Sequence, residues 1–574
     1  METNLYLEYM IWDEKKRGAK MKIVIVGSVA AGTSVAAKAR RNTEEAEIVV
    51  YDQGKDISYS VCGIPYQIGG EVESIDTLVP RNAEWFKKRY AVDIFTEHQV
   101  TKVNREEKNI MVTDIKTGEV KQDHYDVLVF ATGASPFTPP PFDQASYDNV
   151  FQVRTIENNR NIGQFLSVQQ PKKALIIGAG FIGLELTEQL TRKGLDVTIV
   201  QLEDQIMPSM DADMTFRAEE YLRNKGVVLY LNDTVKEVLG EGTVKKVITA
   251  NGASIDTDLV ILAAGVRPNT QLAKETGVAL GESKAIAVNQ KMQTNIPDIY
   301  AVGDAAESFS VITGKPLYRP LGSTANKMGR IAGDVITGGK LEHRGVLGTG
   351  IFRLFDMQMG QTGLTEKEAT KAGYETEVLF SIKPDHAEYL GGKELTIKAI
   401  ADKKTGRLLG AQAIGENGVD KRIDVIATAI NFGAKAEDLF HLDLAYAPPF
   451  ATTKDPVMYT GMALENALHR NPLITPKELM EKQQYNVTMQ IIDTRGKKDY
   501  ETLHVEGAVH IPLAELRERS EELDPQLLTV VYCNKGVTGN AAQNLLLNKG
   551  FKEVYNLSGG NKNYQLYKKM KQQK

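Results

Sequence analysis

Cysteine is scarce in this sequence: 574 residues carry two, Cys62 and Cys533. Two thiols build no disulfide framework, and no Cys/His cluster has the spacing of zinc ligands, so no metal site is expected. No apolar run approaches the ~20 residues that cross a bilayer, so no membrane span is expected. A basic excess is missing too. The formal net charge is −5, which offers no field to nucleic acid. The first twenty residues, METNLYLEYMIWDEKKRGAK, lack the basic start, apolar core and small-residue cleavage site of a secretory signal. A cytoplasmic location is expected, with residues 1–20 an N-terminal extension ahead of a patterned segment at Met21. The C-terminal run KKMKQQK reads as a solvated end. What is present is an ordinary globular composition, 42% hydrophobic and 25% charged, at a length that implies about four domains.

Two strand–turn–helix units stand out. MKIVIVGSVAAGTSVAAKARR opens with a β-branched run, Ile23 to Val26, suited to a strand buried on both faces of a parallel sheet. Gly27 and Gly32 follow, then an Ala-rich helix. Glycines there allow a tight bend and let a pyrophosphate approach the helix N-terminus. Val29 stands where a central glycine is usual, and the neighbouring position is Ala30. The next apolar run ends in Asp52, where a ribose hydroxyl would be bound.

KKALIIGAGFIGLELTEQLTRKGLDVTIVQLE repeats the plan with a complete G-x-G-x-x-G: Gly178, Gly180 and Gly183, enclosing Phe181 and Ile182. Gln201 occupies the place of the acid, and no Arg or Lys follows to clamp a 2′-phosphate, which favours NADH over NADPH. Two such units point to two dinucleotides; the alternative is a pair of doubly wound domains with other ligands. YDVLVFATGASP places Thr132 and Gly133 at a strand end, and TDLVILAAGVRPN does the same for Gly265. TNIPDIYAVGDAAE ends a strand at Gly303–Asp304, a carboxylate positioned for a polyol hydroxyl.

Cys62 lies in SYSVCGIPYQIGG, a turn-prone segment bounded by Gly and Pro. Most free cysteines are buried small hydrophobes, so its setting must decide its role. Cys533 follows the run LLTVVY and opens CNKGVTG, a loop that leads into a helix expected near Asn540. Backbone N–H groups and the helix dipole there would stabilise a thiolate or a bound anion.

The paired glycine motifs, the ATG turn and the AVGD segment resemble the two-dinucleotide flavoprotein disulfide reductases, over Met21 to about Asn466. The resemblance implies FAD at Gly27, Gly32, Asp52 and Asp304, and NAD(P)H at Gly178, Gly180 and Gly183. Val29, Ala30, Thr132, Gly133, Phe181, Ile182, Gln201, Gly265 and Ala325 are further cofactor-binding positions. Two-thiol members carry C-x-x-x-x-C, but here the position five after Cys62 is Gln67. SYSVCGIPYQIGG therefore resembles the single-cysteine branch: coenzyme A-disulfide reductases, NADH oxidases and NADH peroxidases. Oxidases and peroxidases carry a histidine where this chain has Ala30. HLDLAYAPPFATTKDPV resembles the coenzyme A-disulfide reductase segment with an active-site tyrosine, which implies a role for Tyr446 contributed by the partner subunit of a homodimer. Tyr389 in HAEYLGG is a second such tyrosine, followed by Leu390 where another tyrosine is common. Ser58 and Arg81 are implied in substrate binding, with Val61 where an asparagine often stands.

After NALHRNPLITPKEL, the marks IIDTR, HVEGAVHIP and LSGG resemble a rhodanese domain over about Leu473 to Lys574. That resemblance implies a persulfide-carrying Cys533, polar marks at Asp493 and Arg495, and Lys535 as the one cation in a loop that often ends in arginine. Thiosulfate is thereby expected to be a poor donor. The expected architecture is α/β. An FAD-binding domain spans 21–140 and 270–345, an NAD(P)H-binding domain 141–269, an α+β dimerisation domain 346–467 and an α/β rhodanese domain 473–574.

The whole resembles coenzyme A-disulfide reductase–rhodanese fusions. It implies NAD(P)H-dependent reduction of coenzyme A persulfide or polysulfide at Cys62, set in electropositive surroundings, with coenzyme A as substrate or carrier. The alternatives are plain coenzyme A-disulfide reduction, NADH oxidase or peroxidase chemistry, and a non-enzymatic sulfur carrier or sensor.

Overall fold

A computed structural model describes residues 20–573. The expected extension lies outside the described residues, apart from Lys20. The apolar β-branched runs form two five-stranded parallel sheets. The first takes the strands Ile299–Ala301, Val127–Phe130, Lys22–Val26, Glu47–Tyr51 and Asp93–Phe95, in that order. The second takes Val228–Leu231, Asp196–Gln201, Lys173–Ile177, Leu259–Leu262 and Val150–Gln152. Ile23, Val24 and Ile25 are fully buried, as are Leu175 and Ile176, because helices and a three-stranded antiparallel sheet together cover the two faces of each parallel sheet; Val235, Val247 and Ile255 of one such sheet pack on the second, and Ile110 and Val112 of the other on the first. The first sheet recruits a strand from residue 299, so the segment between closes a second unit before the chain returns.

The helix Ala31–Asn42 crosses the helix Gly322–Ile336 at very short range. A Cβ added at Gly329 would lie 2.4 Å from the Ala31 carbonyl oxygen, and one at Gly333 would lie 2.6 Å from that of Val35. This contact sets Ala325 beside Gly303, at the C-terminal edge of the first sheet.

The third unit is an antiparallel sheet ordered Gly350–Leu354, Met357–Gly363, Leu408–Gly415, Glu394–Asp402 and Thr376–Pro384. The fourth is a parallel sheet with Leu528–Tyr532 at its centre, between Val554–Leu557 and Met489–Asp493. This last unit is seated on the others. The Phe380 N–H donates to the Ser558 hydroxyl at 2.8 Å, Arg217 donates to Asn563 at 2.7 Å, and Lys569 pairs with Glu220. Met570 and Tyr567 are buried against Phe216. The C-terminal run is exposed at Lys569 and from Lys571 to Gln573, but the helix Gly560–Gln573 turns Met570 into an apolar contact, so the run is not solvated throughout.

Beside this seat, Lys398 is buried among Asp211, Asp213 and Glu366, at 3.1, 2.9 and 2.8 Å. Among the described residues, no helix is long and apolar enough to cross a membrane.

Candidate active site

The two glycine turns are built alike. A Cβ at Gly27 would sit 2.2 Å from the Ala131 carbonyl oxygen, and one at Gly178 2.4 Å from that of Ala263. Both residues hold φ above +100°, the region that favours glycine. Gly32 and Gly183 lie against the carbonyls of Gly27 and Gly178 in the same way. Gly180 differs, because its missing Cβ faces open space. The helices that follow, Ala31–Asn42 and Phe181–Arg192, have no side-chain cap, which leaves their first N–H groups for an anion. These features fit a pyrophosphate over each turn.

Asp52 and Gln201 do a job that the ribose assignment overlooks. Asp52 accepts from the Ser28 N–H and hydroxyl, both at 2.7 Å, and from the Gly54 N–H at 2.7 Å. Gln201, buried, accepts from the Ala179 N–H at 2.8 Å. Each residue therefore braces its glycine turn, and an amide serves as well as a carboxylate for a single N–H. Phe181 turns away from its turn and packs edge-on against Phe352, with ring centres 5.4 Å apart. Thr132 donates to the Asn269 carbonyl at 2.7 Å, and the Gly265 carbonyl accepts from the Phe137 N–H, so the ATG and AAG turns are laced together. Ile182 is partly buried in the second unit's core.

Cys62 lies in the short turn Val61–Gly63, ahead of the helix Ile64–Gly69, and is exposed. Ser58 holds φ +49°, a strained value for serine, and donates its N–H to the Ser28 carbonyl at 3.0 Å. The cysteine segment is thereby tied to the first glycine turn. The surroundings are not electropositive, contrary to the sequence-based expectation. Desolvation pushes the Cys62 thiol up, Glu185 and Asp304 push it the same way, and Arg154 alone pulls down. Asp304 is already held by Arg154 at 2.7 Å.

Glu185, on the helix after the second turn, is raised by burial to about 7 while the Tyr66 hydroxyl donates to it at 3.1 Å. Sequence reasoning missed Glu185, Tyr66 and Arg154. Tyr66 stands inside the cysteine segment, and Glu185 is two residues past Gly183, which was the signal available.

Tyr446 is half-exposed and Tyr389 more so. The two loops meet where the Ala387 N–H donates to the Pro448 carbonyl at 3.2 Å. Tyr446 lines a cavity of about 670 Å³ with His386, Lys421, Arg422 and Phe450. All of its lining residues lie between 385 and 450, so one chain does not bring this cavity to Cys62. Arg81 is exposed, with its guanidinium 5.1 Å from the Trp85 ring centre, and Val61 is half-buried.

Cys533 ends the strand Leu528–Tyr532, and its sulfur accepts from the Gly536 N–H at 3.1 Å. The following helix begins at Val537 rather than near Asn540, because Gly536 takes φ +97° and turns the chain three residues early. Asp493 is fully buried, paired with Arg495 at 2.6 Å and accepting from the Tyr532 hydroxyl at 2.7 Å. Both residues are structural. Lys535 is not a free cation, since it pairs with Glu394 of the third unit at 2.5 Å.

Comparison with known proteins accounts for all four units. The pyridine nucleotide-disulphide oxidoreductase model matches residues 21–327, its dimerisation-domain model 351–456 and the rhodanese-like domain model 475–566. An NADH oxidase of Methanocaldococcus jannaschii is 38% identical over 452 residues, 78% of this chain and 99% of that protein. An NAD(P)H coenzyme A polysulfide/persulfide reductase of Pyrococcus horikoshii is 38% identical over 450 residues, with the same coverage. The crystal structure of reduced CoADR-RHD from Bacillus anthracis superposes with a TM-score of 0.92 at 37% identity, covering 96% of this chain and 98% of that one. The family uses FAD and NAD(P)H, which the two uncapped glycine turns fit. The chain belongs to the pyridine nucleotide-disulphide oxidoreductase family, with a rhodanese-like domain following its dimerisation domain.

Proposed function

We propose that the chain is an NAD(P)H-dependent reductase of coenzyme A persulfide or polysulfide, with a sulfur-carrying rhodanese domain. One observation carries this reading. Cys62 is the sole thiol outside the rhodanese unit, so the sulfur it reacts with must arrive on the substrate. The named relative from Pyrococcus horikoshii supports the substrate class.

When bound, FAD relays two electrons from NAD(P)H to the sulfur on Cys62. The Cys62 thiolate attacks the sulfane sulfur; a new S–S bond forms at Cys62 and the coenzyme A thiolate leaves with the electron pair of the broken one. Tyr446 of the partner subunit protonates the leaving sulfur, which requires a homodimer built through the dimerisation domain. Ser58 and Val61 shape the approach to Cys62, and Arg81 holds a substrate phosphate. Cys533 collects sulfane sulfur from a donor, and coenzyme A carries it to Cys62. The domain divisions are placed at 21–140 with 270–345, 141–269, 346–467 and 473–574, in a cytoplasmic protein.

The test is anaerobic NADH oxidation with coenzyme A persulfide and, separately, with coenzyme A disulfide, quantifying sulfide. Stoichiometric sulfide from the persulfide, lost in Cys62→Ser, is the expected result. Turnover of the disulfide alone makes the chain a disulfide reductase, the second reading. NADH consumption driven by oxygen or peroxide would favour the chemistry named for the Methanocaldococcus jannaschii relative, which Ala30 disfavours.

A further inference from the structure

The loop that carries Cys533 is clamped onto the dimerisation domain. Lys535 and Lys562 both pair with Glu394, at the start of the strand Glu394–Asp402. In the sheet register Glu394 lies opposite Pro384, and Leu395 opposite Lys383. Lys383 is half-buried on the neighbouring strand, and among the described residues no carboxylate pairs with it. Its ammonium rests instead 3.5 Å from the centre of the Tyr459 ring, with the Lys454 ammonium 5.9 Å from the same ring. The Phe380–Ser558 hydrogen bond fixes this strand against the loop before Gly560, whose missing Cβ would lie 2.5 Å from the Cys533 carbonyl oxygen.

From this geometry we infer that Lys383, supported by Lys454 and Tyr459, completes the Cys533 site from outside the rhodanese domain and binds a small anionic sulfane-sulfur donor of the thiosulfate or inorganic polysulfide class. The cation absent from the end of the rhodanese loop is supplied by the sheet beneath it. The inference rests on the sulfurtransferase reading of Cys533. In the transfer, the Cys533 thiolate attacks the outer sulfur of the donor. A bond forms between the two sulfurs, the donor's own S–S bond breaks, and sulfite or a shortened polysulfide departs with the electron pair. Cys533 is left as a persulfide, and no outside oxidant or reductant enters. Lys383 holds the donor's negative charge equally in the bound complex and during the transfer, so its contribution is to binding.

The charges facing Lys383 are mixed. Burial is the main influence and pulls its ammonium down to about 8. The Cys533 thiolate favours the charged form, whereas Lys535 and Lys454 oppose it. The positive charge is therefore present at pH 7 and is lost as the pH rises through about 8.

The experiment uses the full chain with Cys62→Ser, so that Cys533 is the one remaining thiol. Its alkylation rates with iodoacetate, an anion, and iodoacetamide, neutral and of similar size, are compared as a ratio, which cancels the thiolate fraction. Lys383→Met should lower the ratio at least fivefold, and Lys383→Arg should restore it. The parent's ratio should fall between pH 7 and pH 9, and that of Lys383→Arg should not. An unchanged ratio in Lys383→Met overturns the inference, and so does a Cys533 that neither reagent reaches.

Sulfur transfer to cyanide then separates the donors, thiosulfate and tetrasulfide being assayed in parallel. Lys383→Met should raise KM about tenfold for whichever is used, with kcat within twofold; equal losses in kcat and KM would mark a merely structural role. If transfer survives Cys533→Ser, the sulfurtransferase reading fails, whatever the alkylation ratio shows.

Discussion

The two cysteines occupy opposite kinds of place. Cys62 is exposed, in a short turn, with carboxylates near it and a strained serine four residues before it. Cys533 is buried at the end of a central strand, with a backbone N–H on its sulfur and lysines nearby. At Cys62 desolvation, Glu185 and Asp304 oppose the thiolate and Arg154 alone favours it, so the polypeptide as a whole holds the thiol up. A thiol in a backbone cradle beside cations is prepared to receive a negatively charged donor before anything binds. On the proposed reading, sulfur chemistry is divided between an exposed turn beside the first glycine motif and a backbone cradle in the rhodanese unit.

The largest effect that would break this contrast is at Cys62 itself. Cys62→Ser should lower NADH-linked sulfide release at least about a thousandfold, the scale on which removing a nucleophile acts. A residual rate within tenfold of the parent would mean that Cys533 reduces sulfur as well.

Next comes the seat of the second site. Lys398→Met leaves three carboxylates facing one another where a buried cation stood, and should cost about 3–5 kcal/mol of stability. Urea unfolding measures the loss, and amide exchange around Cys533 should rise more than exchange around Cys62.

A smaller loss is expected within the rhodanese unit. Tyr532→Phe removes a donor from buried Asp493 and an acceptor from the Val505 N–H, worth about 1–3 kcal/mol. Unfolding midpoints test it.

The last prediction sharpens the contrast at Cys62. Glu185 is raised from its ordinary value to about 7, so its neutral form stabilises the fold at low pH. That contribution is full below about 4.5 and is lost as the pH rises through about 7. Glu185→Gln should flatten this dependence, and should move the alkylation profile of Cys62 to lower pH, because the stronger of its two opposing carboxylates is gone. An unmoved profile would show that Glu185 does not set the thiol.

What could be read in the sequence was local. Gly27, Gly32, Gly178 and Gly183 announce their turns because each needs its missing side chain against a carbonyl only a few residues or one strand away. Cys62 and Cys533 are marked by the turns that carry them. The missing parts come from distant chain segments: Arg154 reaches Asp304 across 150 residues, and the Phe380 N–H reaches Ser558 from another domain. No periodicity connects such positions. The helix after Cys533 was misplaced because Gly536 reads as loop, whereas its left-handed backbone ends the loop and starts the helix. Lys535 looked like the working cation because its partner Glu394 stands far back in the chain.

The hydrogen bond from Phe380 to Ser558 has a consequence for solubility. The strand Thr376–Pro384 is the outermost of its sheet, and its TEVLFSIKP sequence is apolar through the middle. Uncovered, such an edge is a template for pairing with a neighbour's strand. The rhodanese domain lies over it and occupies one of its free N–H groups with a serine hydroxyl. The fourth domain therefore acts as a guard against aggregation, and trimming the chain after the third would expose an edge inviting stacks of strands.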